Sequence, residues 1–317
     1  MNKKEKNVVI IGTVYSFFIS LLLLGTDEVF YIFCNKINKN IFNNLKTKKY
    51  YSKVYLEKKN LFGIFLYYYN YVKTQIIIFK LRKLNFYVND YLIETCFIKE
   101  AYLLEDGTSN YLEKINLKKN ILSFLRLDFR KNIFGYSSKI KKIYLTGIAP
   151  IPKNLKEKVQ LINLKNLWDR KTTFEKEEIL RIFDIDIKKI SEYKNKEIVL
   201  FTQPLSEDKI ISEEEKIDIY RKVLKNYDIN KVIIKTHPRE ITNYQTYFPN
   251  ILLIDTPIPF EILKILGLSP KIGVTLFSTA VFCLNTKIDF YGTEVHPKLF
   301  KYFGNCDNLM KKNKIIL

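Results

Sequence analysis

The chain has 317 residues, 47% of them hydrophobic and 15% aromatic, and a formal net charge of +20. This apolar content excludes an intrinsically disordered chain, and the length suits two domains of roughly 150 residues each. Only 7 of the 53 basic residues are arginines, and no zinc-finger, helix-turn-helix or RNA-recognition signature occurs, so we expect no nucleic-acid partner. The charge favours attraction to an anionic membrane face or to acidic substrates.

Four cysteines, at positions 34, 96, 283 and 306, lie far apart and form no CxxC pair. This spacing is not typical of a zinc site or of a disulfide framework. Free thiols in a reducing compartment are the simplest interpretation, so the sequence predicts a cytoplasmic protein.

An uncharged run at residues 8–26 follows a basic N-terminus and approaches the length of a membrane span. Gly12 and Thr13 divide it into a β-rich piece at residues 8–11 and an apolar stretch from Val14. A Rossmann domain begins with such a strand, tight turn and helix, and this is the preferred interpretation. A membrane anchor and a cleaved signal sequence stay as alternatives, and a peripheral position at the inner membrane face fits the positive charge.

Residues 1–153 show apolar segments separated by polar turns. Strands are predicted at residues 28–34, 99–104 and 142–146, and further apolar segments lie at residues 60–72, 75–84 and 87–93. Strands that alternate with helices imply a parallel sheet with helices on its faces. We therefore expect an N-terminal Rossmann-like domain.

Residues 154–196 are charged and helix-forming, which predicts a helical bridge between two domains or a dimer contact. A second Rossmann-like domain is expected at residues 197–317. Its predicted strands lie at residues 197–202, 231–235, 251–254 and 271–275. Its first helix, at residues 212–226, begins with Ser212 as the N-cap and Glu215 completing a capping box.

Polar side chains directly follow several of the predicted strands. Ligands of open parallel sheets bind beyond the carboxyl ends of the strands, so these positions are candidate site residues. The clusters are Glu105-Asp106-Gly107, Gln203-Pro204, Thr236-His237-Pro238-Arg239 and Ser278-Thr279. Their shared position predicts a site more strongly than any one motif does.

His237 is one of only two histidines, and its ring can donate a hydrogen bond or a proton near neutral pH. Pro238 restrains the backbone after it, and Lys235 and Arg239 are suited to phosphate. The alternative is a histidine with no role beyond the local structure.

Asp106 is a candidate general base, although an Asp-Gly turn is also common for its backbone geometry alone. Ser278 and Thr279 precede helix-forming sequence, where hydroxyl and free N–H groups can bind phosphate, and ordinary N-capping is the alternative. Glu261, which follows two prolines, can be an acidic residue in the first turn of a helix.

The acidic pair with glycine at residues 105–107, then His237-Pro238, then the adjacent hydroxyls at residues 278–279, resemble bacterial sialyltransferases. Among these the chain is most similar to glycosyltransferase family 52, and Gln203-Pro204-Leu205 resembles the same family. The resemblance covers residues 103–280. It implies an α/β fold of two Rossmann-like domains facing a cleft, the GT-B type, with an acceptor-side N-terminal domain and a CMP-donor-binding C-terminal domain.

For the reaction, the resemblance implies transfer of sialic acid from CMP-sialic acid to a glycan acceptor. CMP leaves with a single phosphate, so we expect no metal, and no cofactor is expected either. Asp106 would be the general base, and His237 would contact the donor phosphate and assist the departure of CMP. A homodimer is also expected. The donor-binding positions would be Gln203, Lys235, Pro238, Glu261, Ser278 and Thr279, with Glu261 on the ribose.

Asp184-Ile185-Asp186 matches the Asp-x-Asp motif that binds Mn²⁺ or Mg²⁺ in single-domain glycosyltransferases. It lies in charged, helix-forming sequence rather than after a buried strand, so we expect a solvated helix end there. Two other functions stay open. One is a GT-B glycosyltransferase that uses a different nucleotide-sugar or a Kdo donor, and the other is a non-catalytic, basic, membrane-associated binding protein.

Overall fold

The computed structural model describes residues 6–34, 39–45, 50–52, 61–112 and 132–306. The chain divides into two compact units, residues 1–185 and 186–317. In the described residues each unit contains one parallel sheet whose strands alternate with helices, as the sequence predicts. The segment predicted as a bridge contributes to both units, and a separate bridge at residues 154–196 stays a prediction.

The first unit contains a sheet of seven parallel strands. They are β1 (Asn7–Ile11), β2 (Val29–Phe33), β3 (Tyr50–Ser52), β4 (Asn85–Val88), β5 (Ala101–Leu104), β6 (Ile140–Leu145) and β7 (Val159–Leu161). Their spatial order is β3-β2-β1-β4-β5-β6-β7. The chain leaves β1 toward one side of the sheet and returns at β4 on the other, so the order reverses there. Ligands of such sheets bind at this point, beyond the carboxyl ends of the strands.

β1 and the helix after it confirm the predicted strand, turn and helix at the start of the first unit. Thr13 caps helix α1 (Val14–Leu24) by accepting a hydrogen bond from the Ser16 N–H at 3.2 Å. The helix is apolar on all sides because it is buried, and Phe17 and Phe18 both pack against Phe183. Among the described residues, no helix combines the length and the apolar character that crossing a bilayer requires.

The described residues of this unit form four more α-helices: α2 (Lys39–Asn44), α3 (Leu61–Lys80), α4 (Leu164–Asp169) and α5 (Thr173–Ile182). The sequence analysis did not identify β3 or β7. Both are strands of three residues at the two edges of the sheet, and β7 lies in sequence predicted to be helical. Three residues are too few to show the alternation of apolar and polar side chains that marks a strand.

The second unit contains five parallel strands. They are β8 (Ile198–Phe201), β9 (Val232–Lys235), β10 (Leu252–Ile254), β11 (Ile272–Thr275) and β12 (Lys287–Phe290). Their spatial order is β10-β9-β8-β11-β12, so the order reverses between β8 and β11. The first four confirm predicted strands. β12 was missed because its sequence carries Lys287 and Asp289 at the edge of the sheet.

The helices of this unit are α6 (Ile187–Tyr193), α7 (Glu213–Leu224), α8 (Tyr244–Tyr247), α9 (Phe260–Ile265) and α10 (Pro297–Phe303). The capping box predicted for α7 is confirmed, since Ser212 and Glu215 each accept the other's backbone N–H. After β11 the chain forms a 3-10 helix at Thr279–Leu284. That helix packs on Gly273, where a Cβ atom would lie 2.6 Å from side-chain carbons of Val281 and Leu284.

Candidate functional site

Asp106 follows β5 and is partly buried near the point where the order of the first sheet reverses. Its Oδ1 accepts a hydrogen bond from the Thr13 hydroxyl and lies 3.3 Å from Ser16 Oγ. The Tyr91 hydroxyl also favours the ionised form of this carboxylate. Burial raises the pKa of Asp106 above its usual value, and the three hydroxyl groups oppose that rise. The net rise makes this carboxylate more basic than an exposed aspartate.

Asn89, directly after β4, ties the neighbouring strand ends together. Its Oδ1 accepts the Gly12 N–H at 3.0 Å, and its Nδ2 donates to Leu104 O at 3.1 Å and to Ser16 Oγ at 2.9 Å. The side chain is buried. The sequence analysis missed Asn89, Thr13 and Ser16. The criterion that identified Asp106 and His237, a polar residue after an apolar run, would also have identified Asn89.

Glu105 and Asp106 are adjacent but have different environments. The Glu105 carboxylate is fully buried and accepts hydrogen bonds from the Thr146 N–H at 2.5 Å and the Thr146 hydroxyl at 3.0 Å. It therefore joins β5 to the end of β6. Gly107 has a φ of +107°, which favours glycine, and Asn110 Oδ1 accepts the Asp106 N–H at 2.6 Å. Because the Glu105 carboxylate is bound to Thr146, Asp106 is the candidate general base of this pair.

His237 lies in the turn after β9, and its neighbours in sequence fix both its backbone and its ring. Its N–H donates to Glu240 Oε2 at 2.6 Å, and its carbonyl accepts the Glu240 N–H at 2.9 Å. Nδ1 accepts the Arg239 N–H at 3.1 Å, so the neutral ring carries its proton on Nε2. Burial, with the charges of Arg239 and Lys235, lowers the pKa of His237 to about 4. The ring is therefore a neutral N–H donor at physiological pH.

Lys235 ends β9 and is almost completely buried. Its Nζ donates to the carbonyls of Thr236 at 2.8 Å and Thr256 at 3.1 Å. Burial lowers its pKa to about 8, while nearby carboxylates oppose the shift. Pro238 is exposed beside His237, and Arg239 pairs with both oxygens of Asp208, at 2.5 and 3.0 Å.

Gln203 connects the strand ends on the two sides of the order reversal in the second sheet. Its N–H donates to the Tyr220 hydroxyl at 2.8 Å, and its Oε1 accepts the Phe277 N–H at 3.2 Å. Ser278, the residue after Phe277, caps the 3-10 helix by accepting the Ala280 N–H at 3.4 Å. Gln203 therefore holds the backbone immediately before the two predicted phosphate hydroxyls.

Thr279 is partly buried in the first turn of that 3-10 helix. Glu261 lies in the first turn of α9, as predicted, and is also partly buried. Burial raises the pKa of Glu261, and the charges of Lys264 and Lys235 oppose the rise. Glu261 and Lys235 therefore lie within electrostatic reach of each other. Of the eight residues expected to act in catalysis or donor binding, Asp106 belongs to the first unit, and the other seven belong to the second.

Glu240 and Lys216 are residues of the second unit that the sequence analysis missed. The Glu240 side chain is 1% exposed and holds the His237 backbone, and Lys216 lies next to it with a fully buried side chain. No local pattern marks either residue, because Lys216 stands in an otherwise ordinary amphipathic helix and Glu240 in a polar loop.

The Asp-x-Asp motif lies at the start of α6. Asp186 is the N-cap of this helix and accepts the Lys188 N–H at 2.8 Å, and Asp184 has a left-handed φ of 55°. Within the described ranges, no group of three or more His, Cys, Asp or Glu side chains is arranged to hold a metal ion. The geometry gives Asp186 a capping role.

Comparison with known proteins connects these features to a family. The family model of glycosyltransferase family 52 matches residues 26–299. An uncharacterized protein of Haemophilus influenzae is 44% identical over 232 residues, which cover 72% of this chain and 74% of that protein.

Two of the solved structures that resemble this chain are sialyltransferases that cover 98% of it. An α/β-galactoside α-2,3-sialyltransferase of Photobacterium phosphoreum superposes with a TM-score of 0.57 at 16% identity, covering 98% of this chain and 97% of that one. A 2,6-sialyltransferase of a Photobacterium species, solved with CMP and lactose, has a TM-score of 0.60 at 11% identity, covering 98% and 76%. At such low identity these structures show the fold, and they confirm the predicted GT-B type. The match to the family model over most of the chain shows that this protein is a glycosyltransferase belonging to family 52.

Proposed function

We propose that this family 52 enzyme is an inverting sialyltransferase, which moves N-acetylneuraminic acid from CMP-sialic acid to a galactose-type acceptor of a surface glycan such as lipooligosaccharide or capsule. The family assignment and the shared fold of two sialyltransferases support the donor class. The observation that carries the proposal is the environment of Asp106, a partly buried carboxylate with a raised pKa after a strand of the first unit. A base of this kind suits deprotonation of a sugar hydroxyl.

The acceptor step is assigned to Asp106. As the acceptor oxygen forms its bond to the anomeric carbon, its proton passes to the Asp106 carboxylate. Desolvation makes the carboxylate a stronger base, and the hydroxyls of Thr13, Ser16 and Tyr91 orient it. Asn89 holds the strand ends that carry these groups.

The donor step is assigned to the second unit. His237 donates its Nε2–H to a phosphate oxygen of CMP, and Ser278 and Thr279 bind the same phosphate with their hydroxyls. In the same proposal Glu261 accepts hydrogen bonds from the ribose. Lys235 supplies positive charge and Pro238 contacts the donor. Gln203 supports this arrangement by holding the Phe277 backbone before the hydroxyl pair.

In the transfer one carbon–oxygen bond breaks and one forms, so no oxidant or reductant is needed. The anomeric carbon of a sialic acid is tertiary, so the transition state resembles an oxocarbenium ion. The bond from this carbon to the phosphate oxygen breaks as the bond to the acceptor oxygen forms on the opposite face, which inverts the configuration. The phosphate leaves with the electron pair of the broken bond. Stabilising that developing charge with fixed donors is the largest contribution such a site makes to the rate.

A nucleotide-binding measurement followed by a transfer assay tests the proposal. CMP should raise the melting temperature more than UDP or GDP does, and a ligand at about 100 times its dissociation constant stabilises the fold by about 2.7 kcal/mol. Transfer from CMP-sialic acid to a lactose-type acceptor should follow. Preferential stabilisation by UDP or GDP would favour the enzyme with another nucleotide-sugar. Absence of both binding and turnover would favour a binding protein.

We also propose peripheral contact with an anionic membrane, through α3. Six apolar or aromatic side chains on one face of this helix are each more than half exposed. They are Phe65, Tyr68, Tyr69, Val72, Ile76 and Phe79. The opposite face is buried through Thr74 and Ile78. The helix has no acidic residue, and Lys73 and Lys80 lie on it. An apolar stripe with basic neighbours fits a membrane interface.

Vesicle cosedimentation tests this contact. The protein should pellet with vesicles that contain phosphatidylglycerol and not with pure phosphatidylcholine, and Val72→Ser with Ile76→Ser should weaken the interaction. Phe174→Ser, at an equally exposed aromatic position elsewhere in the first unit, is the control.

The predicted homodimer is a separate proposal. Light scattering measures it, and a dimer lost in the α3 variant would assign the stripe to self-association instead.

A further inference from the structure

Lys216 is a fully buried lysine on α7, a helix that otherwise buries apolar side chains. Its Nζ lies 2.9 Å from Glu207 Oε2, 2.6 Å from Thr242 Oγ1 and 3.6 Å from Glu240 Oε1. A buried ammonium group is stable only with such partners. This lysine therefore joins α7 to two carboxylates in loops that follow β8 and β9.

The Glu240 carboxylate is the link between Lys216 and His237. Its Oε2 accepts the His237 N–H at 2.6 Å and the Thr202 hydroxyl at 2.5 Å, and its Oε1 accepts the Tyr244 hydroxyl at 2.6 Å. Thr202 follows β8 and His237 follows β9. One buried carboxylate therefore fixes two neighbouring strand ends and the turn that carries the imidazole.

Glu207 holds the far end of the same loop. Its Oε1 accepts the N–H groups of Ile241 at 2.9 Å and Thr242 at 3.3 Å. Burial would raise the pKa of Glu207, but the hydrogen bonds from the Ile241 N–H and Lys216 lower it to about 2. Glu207 therefore stays ionised and keeps Lys216 paired. The loop is held at its start through Glu240 and at its end through Glu207.

We propose that Lys216 is a positioning residue for the transfer reaction, because it holds Glu240 and Glu207 and so fixes the direction in which His237 presents Nε2. The inference rests on the proposed contact between His237 and the donor phosphate. Apolar residues often replace buried ion pairs without loss of stability. The fold of α7 alone does not require a lysine at this position.

A double-mutant cycle tests whether Lys216 acts through His237. Lys216→Met should lower kcat on the order of 10-fold to 100-fold, because small misplacements of a catalytic group have effects of this size. In a His237→Ala background the same change should add little, since its target is gone. Lys298→Met is the control, because it removes an exposed lysine paired with Glu215 of the same helix. Equal losses in both backgrounds would overturn the inference.

A charge-balanced variant separates positioning from folding. Lys216→Met leaves Glu207 buried without its cation and is expected to destabilise the protein. Lys216→Met with Glu207→Gln removes both charges and should restore much of the melting temperature while kcat stays low. Recovery of kcat together with stability would show a purely structural lysine.

An NMR titration gives a readout that does not depend on the donor. The chain has two histidines, so His296→Gln assigns the His237 ring signal. The His237 pKa, about 4 in the native protein, should move toward the ordinary value when Lys216→Met loosens the turn, because this variant keeps the Glu207 charge that raises the pKa. An unchanged pKa would contradict the inference. If the native enzyme does not transfer sialic acid, the proposed donor is wrong, and this titration still tests the positioning.

Discussion

Nδ1 of His237 accepts the backbone N–H of Arg239 at 3.1 Å, so the unprotonated nitrogen of this ring is already hydrogen bonded within the turn. The proton of the neutral ring is then on Nε2, and the pKa of about 4 keeps the ring neutral above that pH. This relationship bears on the two roles proposed for His237, hydrogen-bond donor or proton donor. It supports a hydrogen-bond donor to the leaving phosphate over a proton donor.

The tautomer predicts different outcomes for two substitutions at this position. His237→Ala should lower kcat about 10²-fold to 10³-fold, the usual loss of one donor to a developing negative charge. His237→Gln keeps a neutral N–H near the Nε2 position and should retain clearly more activity. Steady-state kinetics with saturating acceptor measures both. Equal losses in the two variants would favour general acid catalysis.

The raised pKa of Asp106 predicts the acid limb of the pH profile. A base acts as the carboxylate, so kcat/KM should fall as the pH drops through a value above that of an ordinary aspartate. Thr13→Val removes a hydrogen bond that lowers this pKa, so the limb should move to higher pH. It also removes the N-cap of α1, at about 1 kcal/mol of stability. Thr13→Ser keeps the hydroxyl and should keep the native profile.

Gln203 predicts an effect on donor binding without an effect on the base. Gln203→Ala frees the Phe277 N–H and loosens the backbone before Ser278, which should weaken CMP binding by about 1 kcal/mol, or roughly fivefold. Isothermal titration calorimetry measures this affinity. Gln245→Ala, at an exposed glutamine bonded to Pro249 O, is the matched control. A change in the acid limb with unchanged CMP affinity would contradict the assigned role.

The capping role of Asp186 predicts that transfer does not depend on the Asp-x-Asp motif. Asp186→Asn keeps an oxygen that can accept the Lys188 N–H, so stability and turnover should both be retained. Turnover should also persist after treatment with EDTA. Loss of activity that Mn²⁺ or Mg²⁺ restores in the native enzyme, but not in Asp186→Asn, would assign a metal to this motif.

The fold could be predicted from the sequence where a helix or strand carries a local pattern, such as an apolar run or a helix-capping motif. The apolar run divided at Gly12 and Thr13 predicted β1 and α1, and Ser212 with Glu215 predicted the start of α7. The three-residue edge strand β7 was missed because its side chains are mostly exposed and it carries no alternating pattern.

The candidate site was predictable only in part, for a related reason. Asp106 and His237 each lie two residues past the end of a strand, so strand-end placement identified them as candidates. The side chains that orient them come from other parts of the chain. Thr13 lies 93 residues from Asp106, and the Lys216 contact with Glu240 depends on how α7 packs against the loop after β9. Such contacts arise from tertiary packing and leave no local sequence signal.

Measuring transfer from CMP-sialic acid to a lactose-type acceptor by Asp106→Asn tests the central claim most directly. We predict a fall in kcat of about 10²-fold to 10⁴-fold, the range expected for loss of a general base. Because folding raises the Asp106 pKa, the ionised carboxylate lowers the stability of the native state at pH values above that pKa. Asparagine carries no such charge, so the melting temperature at pH 7 should not fall. Asp169→Asn, at an exposed aspartate paired with Lys165, should transfer at the native rate. Transfer by Asp106→Asn within about threefold of the native rate would contradict the assignment of the base.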